Sequence, residues 1–219
     1  MSRSKAEDAG GLTPAKDDNA AAAHFLRRTL HFVNLVDYTT ERKGNRMDTL
    51  ENIGARAKIA SRLLAVAGTA RKNEALTAMA RALAAHSDDI LAANRQDVAA
   101  AKAAGMHPTL LDRLTLTPDR IRGMCQGILD IAALNDPVGE VTEGYRRPNG
   151  LKIQKTRVPL GVVGIIYEAR PNVTSDAAAL CVKAGNAVIL RGGKEAIRAN
   201  RAIVAALRQG LRAGGLPSD

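Results

Sequence analysis

Two short apolar runs, "GVVGII" at Gly161–Ile166 and "AVIL" at Ala187–Leu190, are separated by about one helix's length of chain. Strands joined through a helix pair in parallel, and near-continuous apolar character is that of a strand covered on both faces. The intervening residues from Asn172 put Ala178, Cys181 and Val182 on one helical face and stop at Gly185-Asn186. Beyond the second run, Glu195–Arg212 carries Ile203, Val204, Leu207 and Leu211 on a single stripe. The pattern predicts a right-handed β-α-β-α unit, the first of a Rossmann-like parallel sheet in an α/β fold.

Upstream the periodicity is helical. "MDTLENIGARAKIASRLLAVAG" aligns Leu50, Ile53, Ala57, Ala60, Leu64 and Ala67, and the next segment aligns Leu76, Met79, Ala80 and Leu83. Ser87 with Asp88 and Asp89 reads as a cap and first turn, Gly105 as a stop, and Thr117-Pro118-Asp119 as a further start. A set of antiparallel helices is expected. Between them and the sheet, about residues 138–158, the pattern alternates around Asn149-Gly150, which predicts a two-stranded β-arm that needs support from another surface. Residues 1–46 differ: a polar start, one short helical candidate near His24–Val36 and the charged run "ERKGNR" mark a disordered extension or a start codon placed too early, Met47 being the alternative.

Several function classes are poorly supplied. Aromatics make up 2% of the chain and tryptophan is absent, so stacking on single-stranded nucleic acid lacks its surfaces, although the net charge of +10 invites an anionic partner. Lys/Arg clusters are short and spread along the chain. Cys125 and Cys181 have no paired spacing and the four histidines no ligand spacing, so no metal is expected. No apolar run approaches the roughly 20 residues of a membrane span, and a cytoplasmic setting is expected. The weakly amphipathic basic segment "HFLRRTLHFVNLV" leaves an organellar transit peptide as the alternative.

Ligands of open parallel sheets bind beyond the carboxyl ends of the strands. Two polar clusters stand there: Tyr167-Glu168-Ala169-Arg170-Pro171-Asn172 and Arg191-Gly192-Gly193-Lys194-Glu195. In the second, the glycines permit close approach, Arg191 and Lys194 add charge, Glu195 can accept from a ribose hydroxyl, and the following helix would offer free N–H groups to a phosphate. An ordinary strand-to-helix turn is the other reading. In the first, Asn172 is either a donor to a developing oxyanion or a helix cap, with Glu168 paired to Arg170.

The block "RVPLGVVGIIYEARPNVTSDAAALCVKAGNAVILRGGKEAIRAN", with "LLDRLTLTPDRI", "DPVGEV" and "ILAANRQDV" before it, closely resembles the gamma-glutamyl phosphate reductases (glutamate-5-semialdehyde dehydrogenases) of the aldehyde dehydrogenase superfamily. The likeness runs from about Met47 to Asp219. It implies an aldehyde dehydrogenase-like fold, with 47–219 as the N-terminal part of an NADP-binding domain. The implied reaction is NADPH-dependent reduction of L-glutamyl 5-phosphate to L-glutamate 5-semialdehyde with release of phosphate, in proline biosynthesis. It further implies a homo-oligomer joined through the arm. Arg191, Gly192, Gly193, Lys194 and Glu195 would meet the adenosine ribose and 2′-phosphate of the cofactor. Tyr167, Glu168 and Arg170 would line the substrate mouth, and Asn172 would donate to the oxyanion.

That superfamily's chemistry uses a cysteine nucleophile from a separate catalytic domain. The chain ends at "GGLPSD", so this domain is expected to be absent and the chain to be an incomplete, truncated reading frame, inactive alone, with an uncovered sheet edge. Cys125 and Cys181 lie in apolar helical patterns and do not fit the role. Two rival readings follow: a nucleotide-binding module that pairs with a partner subunit, and a basic nucleic-acid binder whose affinity falls steeply with salt.

Overall fold

The computed structural model describes residues 50–218. The expected extension over 1–46, its helical candidate and the alternative start at Met47 lie outside the described residues.

Among the described residues five helices precede the first strand: α1 (Leu50–Ala65), α2 (Thr69–Ala85), α3 (Ser87–Ala103), α4 (Pro108–Leu114) and α5 (Pro118–Ala133). Their boundaries follow local chemistry. The Thr117 hydroxyl accepts from the Arg120 N–H at 3.2 Å and Pro118 opens α5, while the His107 ring accepts from the Thr109 N–H ahead of α4. Ser87, read as a cap, is instead the first residue of α3; His86 closes α2 and opens α3 without a break. Leu50, read as part of the inner face of α1, is exposed, because that face narrows to Ala57, Ala60, Ser61 and Leu64.

The arm forms as expected, with β1 (Val141–Arg146) antiparallel to β2 (Lys152–Thr156) and Tyr145 opposite Ile153. Apart from half-buried Ile153, both strands are exposed along their length. The parallel unit follows: β3 (Val162–Ile166), α6 (Asn172–Lys183), β4 (Ala187–Arg191), a 3-10 turn (Lys194–Ala196) and α7 (Ile197–Ala213). Val162 pairs with Ala187 and Ile166 with Arg191.

Helices and sheet share one core, drawn from Leu64, Leu76, Met79, Leu83, Ile90, Ile121, Ile128, Val182, Ile203 and Leu207 among others. The tightest contact is α2 against α7. A Cβ on Gly210 would land on the Met79 backbone and one on Gly214 on the Ala75 backbone, so the two helices touch main chain to main chain. The inner stripe of α7 is Ala199, Asn200, Ile203, Ala206, Leu207 and Gly210; of the residues read from periodicity, Ile203 and Leu207 are buried, Leu211 packs at the edge of the core and Val204 is half-buried.

Contrary to its apolar pattern, β3 is not covered on both faces: Ile166 is 74% exposed and Gly164 is exposed as well. Among the described elements α1 packs on both strands and α6 on β4. Apolar composition registers that a face can be buried, and not whether a helix lies on it.

Polar groups pin the layers together. Lys72, 1% exposed, meets Asp136 at 2.7 Å, and the Thr69 hydroxyl donates to the same carboxylate at 2.7 Å. Buried Lys183 donates to Asn73 Oδ1 at 2.7 Å and to the Ala132 carbonyl at 2.8 Å, in the last turn of α5.

Candidate functional site

The β3 tip turns part of its polar cluster inward. Tyr167 continues the strand pairing, its N–H donating to the Arg191 carbonyl at 3.0 Å. Its hydroxyl lies 2.6 Å from Thr174 Oγ1, and the Thr174 hydroxyl donates to Asn200 Oδ1 at 3.0 Å. Thr174 and Asn200 are buried, so this chain of contacts ties the β3 tip to α6 and α7 from inside. Burial pushes the Tyr167 phenol above its ordinary pKa, against a smaller opposing pull from Thr174. A Cβ on Gly192 would meet both the Tyr167 ring and Asn200 Nδ2, which requires glycine there for steric reasons. Asn200 Nδ2 is buried without a hydrogen-bond partner.

The rest of the cluster faces outward. Pro171, with φ −58°, occupies the N-cap position and Asn172 is the first helical residue, so Asn172 does not cap α6. Its side-chain N–H reaches Asp176 Oδ2 at 3.5 Å. Glu168 and Arg170 share a main-chain hydrogen bond, the Arg170 N–H donating to the Glu168 carbonyl at 2.8 Å, and form no ion pair. Arg170 and Asn172 join Asp112, Arg113 and Arg120 from the α4–α5 region, with Asp176 of α6, around a cavity of about 340 Å³.

That wall is held from behind by Asn94. Its side chain donates to the Leu114 carbonyl at 2.8 Å and accepts from the Leu116 N–H at 2.7 Å, fixing the α4–α5 turn against α3. The Arg120 guanidinium is committed to the same turn, donating to the Asp112 and Thr115 carbonyls and to Asp112 Oδ1. Arg113 and Arg120 lie in the quoted block "LLDRLTLTPDRI", yet nothing in their spacing signalled that the turn folds against the start of α6.

At the β4 tip the expected helix N-terminus is already filled. Asp97, buried on α3, accepts from the Ala199 N–H at 2.9 Å and the Arg198 N–H at 3.4 Å, and its carboxylate meets the Arg198 guanidinium at 3.1 Å. Burial pushes this carboxyl above its ordinary pKa, opposed by the Ala199 and Arg198 donors. The N–H groups at the start of α7 are therefore not free for a phosphate, because the protein supplies its own anion there. No local pattern announces Asp97, whose partners lie 101 and 102 residues further along.

What remains at this tip is the side chains of Arg191 and Lys194, the glycine main chain and Glu195, whose carboxylate folds against Gly193 where a Cβ would stand. Lys194 is exposed, and Arg191 and Glu195 are half-buried. None of the three is ion-paired to a described residue. Two unspent cations, a carboxylate able to accept from hydroxyls and a turn without side chains fit the ribose and phosphate of a nucleotide.

Both cysteines are free thiols, and burial pushes each above its ordinary pKa. Neither stands at a strand tip. Among the described residues no group of three or more His, Cys, Asp or Glu gathers as a metal site, and no helix is long and apolar enough to cross a membrane.

No protein-family model matches the chain. It is 56% identical over 168 residues to the gamma-glutamyl phosphate reductase of Rhodopseudomonas palustris strain HaA2, covering 77% of this chain and 39% of that protein. It is 56% identical over 170 residues to the Mesorhizobium japonicum protein of the same name, covering 78% and 40%. Solved gamma-glutamyl phosphate reductases are similar in structure. That of Thermotoga maritima gives a TM-score of 0.76 at 41% identity over 78% of this chain and 41% of that one. That of Saccharomyces cerevisiae gives 0.73 at 34% identity over 77% and 43%. A probable aldehyde dehydrogenase from Listeria monocytogenes, 16% identical with a TM-score of 0.56 over 76% of this chain and 34% of that one, shares the fold. The chain thus spans about two fifths of the length of the curated relatives it matches, and over that span it is similar in sequence to gamma-glutamyl phosphate reductases and shares an aldehyde dehydrogenase-like α/β fold.

Proposed function

We propose that this chain carries the cofactor-binding part of a reductase that converts L-glutamyl 5-phosphate to L-glutamate 5-semialdehyde with release of phosphate, using NADPH. The observation that carries the reading is the juxtaposition at the ends of two paired parallel strands: an unspent cationic turn at Arg191–Glu195 and a charged cavity at Arg170–Asn172. Residues 47–219 form the cofactor-binding unit, residues 1–46 stand outside the family pattern, and the exposed arm at about 138–158 is the surface through which copies associate.

A bound nicotinamide supplies the hydride. Lys194 and Arg191 hold the 2′-phosphate, which favours the phosphorylated dinucleotide, and Glu195 accepts from the adenosine ribose hydroxyls. Tyr167 acts as a positioning residue, since its hydroxyl is committed to Thr174 inside the fold. Glu168 and Arg170 edge the substrate mouth. Asn172, whose amide donates over a long 3.5 Å to Asp176, is free enough to turn toward the oxygen on which negative charge develops. Cys125 and Cys181, with raised pKa values and positions inside helices, are unsuited as nucleophiles. The acyl-accepting thiol therefore comes from outside these 219 residues.

The placement of both thiols within helices, Cys181 buried and Cys125 half-buried, also favours a second reading, a nucleotide-binding subunit that turns over nothing by itself. One experiment separates the two. L-glutamate 5-semialdehyde, NADP and phosphate are supplied to the chain alone and to the chain mixed with the complementary part of a family reductase, and NADPH formation is followed. Turnover in the mixture and none in the chain alone is expected. An inert mixture in which NADP still binds leaves the binding subunit, and turnover by the chain alone overturns the assignment of the cysteines.

A further inference from the structure

The cavity beside α6 contains charges that the protein does not use on itself. Of its three arginines, Arg120 is committed to the α4–α5 turn, whereas Arg113 and Arg170 form no ion pair with a described carboxylate. Asp176 is the counterpart. It is half-buried, and its contacts are two long hydrogen bonds, from the Ser175 hydroxyl at 3.3 Å and the Asn172 amide at 3.5 Å, with no cation against it. A half-buried carboxylate without a cation is unusual, because desolvation disfavours its charge unless an opposite charge arrives.

We propose that this cavity is a zwitterion subsite, in which Arg113 and Arg170 take the α-carboxylate of an amino-acid substrate and Asp176 takes its α-ammonium group. The identity of the occupant rests on the reductase reading above. The cavity, about 340 Å³, lies at the small end of ligand pockets and suits a five-carbon amino acid. Opposite charges in one cavity also select between the two ends of such a substrate. A phosphate would meet Asp176 as well as the arginines, and the like charges would repel it, whereas an α-amino acid end matches both signs. The acyl phosphate end is thereby directed out of the cavity. Burial holds the Asp176 carboxyl above its ordinary pKa, with Ser175 and Asn172 pulling the other way, as for a group whose ionic partner arrives with the ligand.

Three small acids test this on the 219-residue chain by calorimetry or by NMR shift titration. L-Glutamate carries both charges of the α-carbon, glutarate lacks the ammonium group, and 4-aminobutyrate lacks the α-carboxylate. L-Glutamate should bind roughly tenfold or more tightly than either analogue, since each leaves one charge of the cavity unmatched. Asp176→Asn should abolish the discrimination against glutarate while keeping that against 4-aminobutyrate. Arg170→Gln and Arg113→Gln should do the reverse, and the far-ultraviolet circular dichroism of each variant checks its fold. Equal binding of the three acids, no saturable binding of L-glutamate, or discrimination unchanged in the folded variants would overturn the proposal. NADPH titrated in parallel distinguishes the failures. NADPH binding without glutamate discrimination removes the subsite and leaves the reductase reading, and glutamate discrimination without NADPH binding does the opposite.

Discussion

The charges inside the helical layer and those on the rim of the strand ends are used in opposite ways. Inside, Lys72 is matched by Asp136, Asp97 by Arg198 and two main-chain donors, and Lys183 by an amide oxygen and a helix-end carbonyl. On the rim, Arg113, Arg170, Arg191, Lys194, Asp176 and Glu195 have no ionic partner among the described residues. The contrast separates charges spent inside the fold from those left open at the strand ends, where the proposed function puts the ligands. A buried ion is retained because it is paired, and an unpaired cluster at a strand end waits for a ligand.

Breaking the inner pairs should produce the largest effects. Asp136→Ala leaves the Lys72 ammonium, 1% exposed, without its counterion, and should lower the unfolding free energy by about 3–5 kcal/mol in urea titrations. The wild type has a matching pH signature. Burial alone would raise the Asp136 pKa, but the Lys72, Thr69 and Val138 donors outweigh it and hold the carboxyl below its ordinary value. A carboxylate depressed in the folded state stabilises above its unfolded pKa, and that stability is lost as pH falls through the depressed folded pKa. Urea midpoints measured from neutral pH downward should therefore decline across that acid window, and Asp136→Asn should flatten this part of the curve. Gly210→Val comes next. Its side chain would press on the Met79 backbone at the α2–α7 contact, and a loss of about 1–3 kcal/mol is expected.

Changes on the rim should move binding and leave stability nearly untouched. Lys194→Ala should weaken NADPH roughly tenfold, about 1.4 kcal/mol, with unfolding midpoints unchanged. Smallest of all, Lys155→Ala removes an exposed arm pair with Glu143 at 3.3 Å and should alter stability by less than about 0.5 kcal/mol.

Much of this division was legible along the chain, and the exceptions share a cause. The βαβα order, the arm with its turn at Asn149-Gly150 and the start of α5 at Thr117-Pro118 all depend on neighbours within a few residues, and they appear where periodicity and capping put them. Asp97, Lys72, Asn200 and Asp176 carry no local signal of their surroundings, because these depend on elements far along the sequence. Asp97 stands on α3, yet its carboxylate occupies the N-terminus of α7 and takes up N–H groups expected to be free there. The proposed cofactor cluster Arg191–Glu195 is visible as composition, but only the packed structure shows that Asp97 occupies the helix N–H groups behind it and leaves its own side chains unpaired.

The decisive measurement is the ratio of NADPH to NADH affinity, by calorimetric titration of the wild-type chain and of the Arg191→Ala/Lys194→Ala double variant. A preference for NADPH in the wild type that disappears in the folded double variant is the predicted result. Equal affinities in the wild type, or a preference that survives the double substitution, would contradict the claim that the unpaired cations at the strand ends are the cofactor's site.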